Sequence, residues 1–292
     1  MQTKTTAVEA LHDVRALESL SDRLETPCGH GAMVWRRWPA AAAGSERARR
    51  TVILLHGGSG SWTHWVRVIP LLRADRDVWA ADLPGLGESA MPAGEPTPQS
   101  AAEAVAAGLR ELIPHAARAD LVGFSFGAHV GTYAAGLLGG HIASFTIVGT
   151  SALGIPRPPL EEFPKEHSTM REPERRAVHR RVLEILMFHR RERIDDLAIT
   201  LQQQNVAQAR FKSRKFAATD GVARGLEDVI VPVRAVWGRQ DVIAHPNVEA
   251  CLDVIRRSHP ELVAEIVEDA GHWVMYERPT EFAAALQRVL AG

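Results

Sequence analysis

The chain lacks the features that mark several classes of protein. It has only two cysteines in 292 residues, Cys28 and Cys251, and they form no C-x-x-C pair. We therefore expect two free thiols rather than a metal site, a redox motif or a disulfide. No window approaches the roughly 20 apolar residues of a membrane helix, and residues 1–24 lack the uninterrupted apolar stretch of a signal peptide. These absences predict a soluble, cytoplasmic protein with no membrane partner.

The charge balance excludes further classes. The 34 Lys and Arg residues nearly cancel the 35 Asp and Glu residues, and no basic patch interleaves with aromatics, so nucleic acid is not an expected partner. An H-E-x-x-H motif is missing, and the histidines are not clustered at the spacing of metal ligands. Residues 85–87 (G-L-G) lack the third glycine and the acidic partner of a dinucleotide fingerprint. We expect neither a metal nor a cofactor.

Short apolar runs alternate with helical stretches along the chain. The runs are residues 33–38, 51–55, 78–81, 121–122, 145–148, 231–237 and 263–267. Continuous apolar runs of this length are typical of strands buried on both faces, so the pattern predicts an α/β protein with a mostly parallel sheet. Most runs end at a polar or glycine-rich cluster, which is where open α/β sheets bind ligands.

One region departs from this rhythm and divides the chain. Residues 155–229 contain no convincing strand; prolines open the region, and charged helical segments follow. We therefore predict that residues 155–229 form an inserted helical cap. The core would then comprise residues 25–154 and 230–292, and residues 1–24 would be a loose or helical leader.

Residues 123–127 (G-F-S-F-G) are the most informative stretch of the sequence. They follow an apolar run and precede small residues of helical character, so a strand, a sharp turn and a helix surround Ser125. In G-x-S-x-G the glycines leave room for a turn that exposes a strained serine at the end of a strand. A serine hydroxyl is a poor nucleophile on its own, so the motif predicts a base and an orienting acid further along the chain.

Both partners have candidates at the ends of later strands. Asp241 closes the run W-G-R-Q-D, and His272 lies between the last strand and the last helix. We predict that His272 takes the proton of Ser125 and that Asp241 holds the imidazole in the required tautomer. Asp82 and Asp269 also lie near strand ends, but their sequence contexts favour structural roles.

Two backbone amides are expected to stabilise a developing oxyanion. Phe126 supplies the amide after the nucleophile, at the start of a helix whose dipole favours negative charge. The second amide should come from the glycine-rich turn at residues 56–59. Gly58 is the first choice and Ser59 the alternative, because glycine lets the backbone approach a substrate closely.

Several aromatic residues lie near these candidates. Phe124 flanks Ser125, Trp62 follows the glycine-rich turn, and Trp273 follows His272. Aromatics at such positions often belong to the core. If they instead contact the substrate, as we predict for Phe124, Trp62 and Trp273, the substrate is a partly apolar small molecule.

Together these segments resemble the α/β-hydrolase superfamily over roughly residues 30–290. The matching pieces are residues 56–58 (H-G-G), 82–89 (D-L-P-G-L-G-E-S), 123–127, 238–241 and 271–272 (G-H). The order Ser125, Asp241, His272 is also the order of that template. The resemblance implies an eight-stranded, mostly parallel sheet flanked by helices, with a helical cap. Serine at the nucleophile position argues against the haloalkane dehalogenase and epoxide hydrolase branches, which use a carboxylate.

Three functions stay open at this point. The first is a cofactor-independent serine hydrolase that cleaves a small ester, thioester or lactone through an acyl-enzyme. A narrower resemblance, to the meta-cleavage product hydrolases, rests on Trp62 and on residues 271–277; it implies C–C bond hydrolysis of a ring-fission dienoate. The third is a non-hydrolytic member of the fold, such as a lyase, a perhydrolase or a ligand receptor. The sequence leaves a homodimer open.

Overall fold

An eight-stranded sheet forms the centre of the protein. The computed structural model describes residues 7–41, 50–113, 119–158 and 160–291. The strands are β1 (Asp22–Cys28), β2 (Gly31–Trp38), β3 (Val52–Leu55), β4 (Val78–Ala81), β5 (Ala119–Phe124), β6 (Ile142–Val148), β7 (Val233–Gly238) and β8 (Val263–Val267). Their spatial order is β1-β2-β4-β3-β5-β6-β7-β8, with β2 antiparallel to both of its neighbours and the remaining pairs parallel. The predicted α/β-hydrolase fold, with its mostly parallel sheet, is confirmed.

Helices cover both faces of the sheet. They are α1 (Ala7–Ser19), α2 (Ile69–Leu72), α3 (Pro98–Leu112), α4 (Phe126–Leu138), α5 (Glu172–Leu186), α6 (Asp196–Gln208), α7 (Gly221–Gly225), α8 (Val248–Ser258), α9 (Val274–Glu277) and α10 (Pro279–Ala291). Helices α3, α4 and α8 contribute to the core on one face, and α2, α9 and α10 to the core on the other. Within the described ranges, no helix is both long enough and apolar enough to cross a membrane.

The central strands supply side chains to both cores because successive residues point to opposite faces. In β3, Ile53 and Leu55 belong to one core, whereas Val52 and Leu54 belong to the other. All four are at most 1% exposed. This double burial explains why the central strands are continuous apolar runs in the sequence.

The first strand was missed in the sequence because few of its residues are buried. Only Thr26 and Cys28 of its seven residues are buried, and β1 is largely polar, so it gives no continuous apolar signal. Its start at Asp22 falls inside the predicted leader, of which residues 1–6 lie outside the described ranges. Helix α1 packs on the domain: Leu17 is buried, and its carbonyl accepts a hydrogen bond from the indole of Trp38 (2.7 Å).

The chain between β6 and β7 is helical, as the sequence pattern indicates. Helices α5 and α6 are joined across their surfaces by an ion pair between Arg176 and Asp196 (2.8 Å), and α7 follows. No strand occurs in the described part of this segment, residues 149–158 and 160–232. The division of the chain into core and cap stays a prediction.

Two glycines allow α4 to lie directly against the sheet. A Cβ atom on Gly127 would be 2.4 Å from the carbonyl oxygens of both Leu55 and His56. A Cβ atom on Gly123 would be 2.5 Å from the carbonyl oxygen of Gly127. Because backbone atoms cannot move aside as a side chain can, both positions require glycine.

We expect Gly127→Ala to lower the free energy of unfolding by about 2 kcal/mol or more, because the methyl group would force α4 away from β3. Gly140→Ala is the matched control, since a Cβ atom there would meet nothing within 4 Å. Urea unfolding followed by circular dichroism measures both variants. Equal stability of the two variants would contradict the close-approach argument.

Candidate active site

Ser125 occupies a strained turn between β5 and α4. Its φ of +53° and ψ of −115° are unusual for a residue with a side chain. The turn is held because the Ser125 amide donates to the carbonyl oxygens of Gly149 (2.8 Å) and Val148 (3.0 Å) at the end of β6. The fold therefore fixes a serine at the carboxyl end of the central strand, as the G-x-S-x-G motif predicts.

A chain of hydrogen bonds joins the three predicted side chains. The Nε2 atom of His272 lies 3.0 Å from the Ser125 hydroxyl, and its Nδ1 atom lies 2.9 Å from Oδ2 of Asp241. His272 and Asp241 are 3% and 5% exposed, so water has little access to this contact. These residues lie 147 and 31 positions from His272 in the sequence. The three residues come together because each follows a strand that ends at the same edge of the sheet.

The carboxylate of Asp241 is held in position on both oxygens. The indole of Trp237 donates to Oδ2 (2.9 Å), and the amide of Ile243 donates to Oδ1 (2.8 Å). With Oδ2 also facing His272, the carboxylate favours the tautomer with a proton on Nδ1, which leaves Nε2 to accept the serine proton. No sequence motif assigned a role to Trp237, although its position four residues before Asp241 is a usable signal.

The predicted oxyanion donors border the same space as Ser125. Phe126 is the first residue of α4, so its amide has no acceptor within the helix. Gly58 and Ser59 follow β3, and both line the cavity. A Cβ atom on Gly58 would lie 2.3 Å from the hydroxyl oxygen of Ser213, so a larger residue here would displace the Ser213 side chain. The choice between the amides of Gly58 and Ser59 stays a prediction.

His64 is a buried residue to which no sequence motif assigned a role. Its Nδ1 atom accepts a hydrogen bond from the amide of Gly57 (3.2 Å), which holds the glycine-rich turn in place. Burial, together with the nearby His56 and His272, lowers the pKa of His64 well below its usual value. His64 is therefore neutral at physiological pH, as its acceptor role requires.

A cavity of about 190 Å³ lies over the serine. Phe124 and Phe126 line it, and a contact between Phe124 and the substrate stays a prediction. Residues from the helical segment between β6 and β7 supply much of the remaining wall. The apolar members of this group are Leu160, Phe163, Leu186, Met187, Phe216 and Ala217. No sequence pattern pointed to them, because their separation along the chain hides their proximity.

Two predicted substrate contacts are corrected by the structure. Neither Trp62 nor Trp273 lines the cavity. Trp273 is fully buried, and its indole donates to the carbonyl oxygen of His64 (2.8 Å). Trp62 is 5% exposed and packs on Trp38, with ring centroids 5.3 Å apart. Both tryptophans stabilise the core beneath the site, because their large apolar surfaces are removed from water there.

The two cysteines are buried and free. Burial raises the pKa of the Cys251 thiol to about 12, so it is not a reactive thiolate at neutral pH. Among the described residues, no group of three or more His, Cys, Asp or Glu side chains could hold a metal ion.

Asp82 fixes the segment that follows the glycine-rich turn. Its Oδ1 atom accepts from the amide of Trp62 (2.8 Å), and its Oδ2 atom accepts from the amide of Glu88 (3.0 Å). Burial raises the pKa of Asp82 to about 6 despite these hydrogen bonds. The role of Asp82 is thus structural, as its sequence context suggested.

A sequence model of the alpha/beta hydrolase family matches residues 52–285, which include Ser125, Asp241 and His272. The chain belongs to this family. The resemblance stated from its motifs is therefore confirmed.

Two relatives show which members of the family this chain is similar to. One is the dihydrolipoyllysine-residue acetyltransferase component of the acetoin cleaving system of Pseudomonas putida, 31% identical over 241 residues. That match covers 77% of this chain and 59% of the relative, so the chain spans less than two thirds of that protein's length. The other is 2-hydroxymuconate semialdehyde hydrolase of Pseudomonas sp. (strain CF600), 26% identical over 82% of this chain and 86% of the relative.

Solved structures show the same architecture. A bacterial membrane phospholipase A, described as a virulence factor, superposes with a TM-score of 0.75 at 22% identity. The superposition covers 98% of this chain and 92% of that protein. At this identity the likeness establishes the shared fold and leaves the substrate of this chain undetermined.

The raised pKa of Asp82 gives a pH-dependent stability. A carboxyl with a higher pKa in the folded state stabilises the fold most at low pH, and this contribution is lost as the pH rises through about 6. Asp82→Asn removes this titration. We therefore expect the free energy of unfolding of the variant, relative to wild type, to rise by about 2 kcal/mol between pH 4 and pH 7.

Urea unfolding at several pH values provides the measurement, with Asp269→Asn as the control. Hydrogen bonds from Arg190 and Arg193 lower the pKa of Asp269 to about 2. The free energy of unfolding of Asp269→Asn should therefore differ from that of wild type by a nearly constant amount above pH 4. A constant difference for Asp82→Asn as well would show that the pKa of Asp82 is not raised.

Proposed function

We propose that the chain is a cofactor-independent serine hydrolase that cleaves a small carboxylic ester, thioester or lactone through an acyl-enzyme. The observation that carries this proposal is the hydrogen-bond chain from the Ser125 hydroxyl through His272 to Asp241. Its position at the floor of a largely apolar cavity adds support. Membership of the alpha/beta hydrolase family is consistent with it.

Acylation uses the three side chains in sequence. The Oγ atom of Ser125 attacks the acyl carbon while Nε2 of His272 accepts the hydroxyl proton. Asp241 stabilises the imidazolium that results and is itself not protonated. As the tetrahedral intermediate collapses, the bond to the leaving group breaks, and His272 returns the proton to the leaving oxygen or sulfur. An acyl ester of Ser125 remains.

Deacylation repeats these steps with water as the nucleophile. His272 accepts a proton from the water, the new tetrahedral intermediate forms, and Ser125 leaves with its proton restored. In both intermediates the negative oxygen would accept hydrogen bonds from the amide of Phe126 and from that of Gly58 or Ser59. The first amide also lies at the N-terminus of α4, where the helix dipole favours negative charge.

The dimensions of the cavity support a small, partly apolar substrate. Its volume of about 190 Å³ is small beside the roughly 300–1,000 Å³ of pockets that bind drug-sized ligands. Phenylalanine, leucine and methionine side chains form much of the lining. A short acyl or aryl group fits these walls, because apolar contact would supply most of its binding free energy.

Ser125→Ala should lower kcat on p-nitrophenyl esters by about a thousandfold or more, since the nucleophile is removed. Ser151→Ala is the matched control: Ser151 lines the same cavity but is not part of the hydrogen-bond chain, and this variant should stay within about tenfold of wild type. Steady-state kinetics on esters of increasing chain length gives both values.

Labelling with a fluorophosphonate tests the reactivity of Ser125 without the need for a known substrate. Wild type should be labelled at Ser125, and Ser125→Ala should not. Failure of wild-type Ser125 to react, with no turnover of any ester, would contradict the serine mechanism. Such a result would favour a non-hydrolytic role for the fold.

A second candidate is hydrolysis of a C–C bond in a ring-fission dienoate. It is supported by the relative named 2-hydroxymuconate semialdehyde hydrolase, which matches 82% of this chain. A dienoate hydrolase would need the same serine and histidine, so the hydrogen-bond chain does not separate the two candidates.

A comparison of kcat/KM for the two kinds of substrate distinguishes the two candidate functions. We expect kcat/KM for the best short-chain ester to exceed that for 2-hydroxymuconate semialdehyde by at least about tenfold, a difference of about 1.4 kcal/mol in transition-state binding. Both reactions are followed by absorbance under the same conditions. The reverse preference would replace the ester proposal with C–C bond hydrolysis.

A further inference from the structure

Two arginines line the cavity without an acidic partner. Arg157 and Arg214 both come from the segment between β6 and β7, and both border the same space as Ser125. The lining, as far as the structure describes it, includes no aspartate or glutamate. Two positive charges therefore face a largely apolar space that supplies no counter-charge.

Arg157 shows this most clearly. Its Nη1 atom is buried and has no hydrogen-bond partner among the described residues. A guanidinium carries five N–H donors, and leaving a buried one unpaired is energetically unfavourable. Arg157 also borders a second cavity of about 350 Å³, which shares Ser151, Ala217 and Ile243 with the first. Its side chain thus forms part of the wall between the two spaces.

Arg214 is held by an aromatic ring instead of an acid. Its guanidinium lies 4.4 Å from the ring centroid of Phe163, which also lines the cavity. Partial burial lowers the pKa of Arg214, with no opposing contribution from a carboxylate. Stacking on an aromatic face orients a guanidinium while leaving its edge donors free for a ligand.

Neighbouring arginines of the same segment behave differently. Arg176 pairs with Asp196 (2.8 Å), and Arg181 pairs with Glu184 (3.1 Å) and with Glu161 (2.5 Å). These three acids lie outside the cavity lining. Carboxylates are thus available to arginines on the surface of this segment but not to the two at the cavity.

Two of the histidines that line the cavity, His64 and His129, add no positive charge at neutral pH. Burial lowers the pKa of His129 to about 4, and His64 is neutral for the reasons given above. The positive character of the lining therefore comes from the arginines, which stay charged.

We propose that the substrate carries an ionised carboxylate besides its scissile acyl bond, and that Arg157, assisted by Arg214, binds it. This inference rests on the proposed hydrolase function and names its substrate class. A carboxylate matches the planar fork of a guanidinium and would satisfy the donor that the protein leaves unpaired. The small cavity favours a compact acid, and the apolar walls favour a short carbon chain between the two groups.

Two matched pairs of esters test the proposal and locate the carboxylate. The first pair, mono-4-nitrophenyl adipate and 4-nitrophenyl hexanoate, differs by a carboxylate on the acyl side of the scissile bond. The second pair, 4-acetoxybenzoate and its methyl ester, differs by a carboxylate on the leaving group. For one of the two pairs, wild type should show kcat/KM at least about tenfold higher for the anion, the range expected for a charged hydrogen bond.

Variants assign the effect to the arginine. Arg157→Gln should lower kcat/KM for the preferred anion by about 10- to 100-fold and change the neutral ester by less than about threefold. Arg157→Lys should restore part of the loss, since it keeps the charge. Arg181→Gln is the control, because it removes an arginine of the same segment that does not line the cavity.

Equal losses on the charged and neutral esters would overturn the proposal, because a structural defect affects both. Neutral esters preferred in both pairs would also overturn it while leaving the hydrolase function intact. If no ester is turned over, calorimetry with adipate and hexane-1,6-diol decides separately. Tighter binding of adipate that is lost in Arg157→Gln would support the subsite, and equal binding of the two ligands would overturn it.

Discussion

The close approach of α4 to the sheet is the constraint on which the site depends. Gly123 and Gly127 allow backbone to pack on backbone where any side chain would collide with a carbonyl oxygen. The chain must then reverse within one residue between β5 and α4, and Ser125 takes the positive φ that this reversal requires. One packing contact thus exposes the hydroxyl, presents the amide of Phe126 and aims the positive end of the helix at the same point.

Several buried polar groups around this turn are matched donor to acceptor. Asp241 accepts from an indole and an amide, and neutral His64 accepts from the amide of Gly57. Such pairing matters because a buried polar atom without a partner loses its interaction with water and gains nothing in return. The Nη1 atom of Arg157 is one of six buried side-chain atoms without a partner among the described residues, and of these only Arg157 lines the cavity.

The central strands and the candidate triad could be predicted from sequence because local patterns carry them. A strand buried on both faces is a continuous apolar run, and the residues that follow parallel strands meet at one edge of the sheet. Ser125, Asp241 and His272 each follow such a run, and they lie within hydrogen-bond distance. Strand β1 was missed by the same reasoning because it is largely polar and most of its residues are not buried.

The tryptophans show where local pattern fails. Trp62 and Trp273 lie next to site residues in the sequence, yet both side chains pack into the core. The direction of a side chain depends on the element that carries it and on what packs against it, which adjacency along the chain does not reveal.

The sequence alone determined the α/β class, the strand-end positions of the candidate triad and the motifs of the family, because each depends on residues that are near one another in the chain. Tertiary structure alone decided the cavity, since its walls come from the turn after β3, from α4 and from the distant segment between β6 and β7. The proposed charge selection within that cavity rests on two arginines that have no carboxylate nearby. Such a relation exists only between residues that folding brings together.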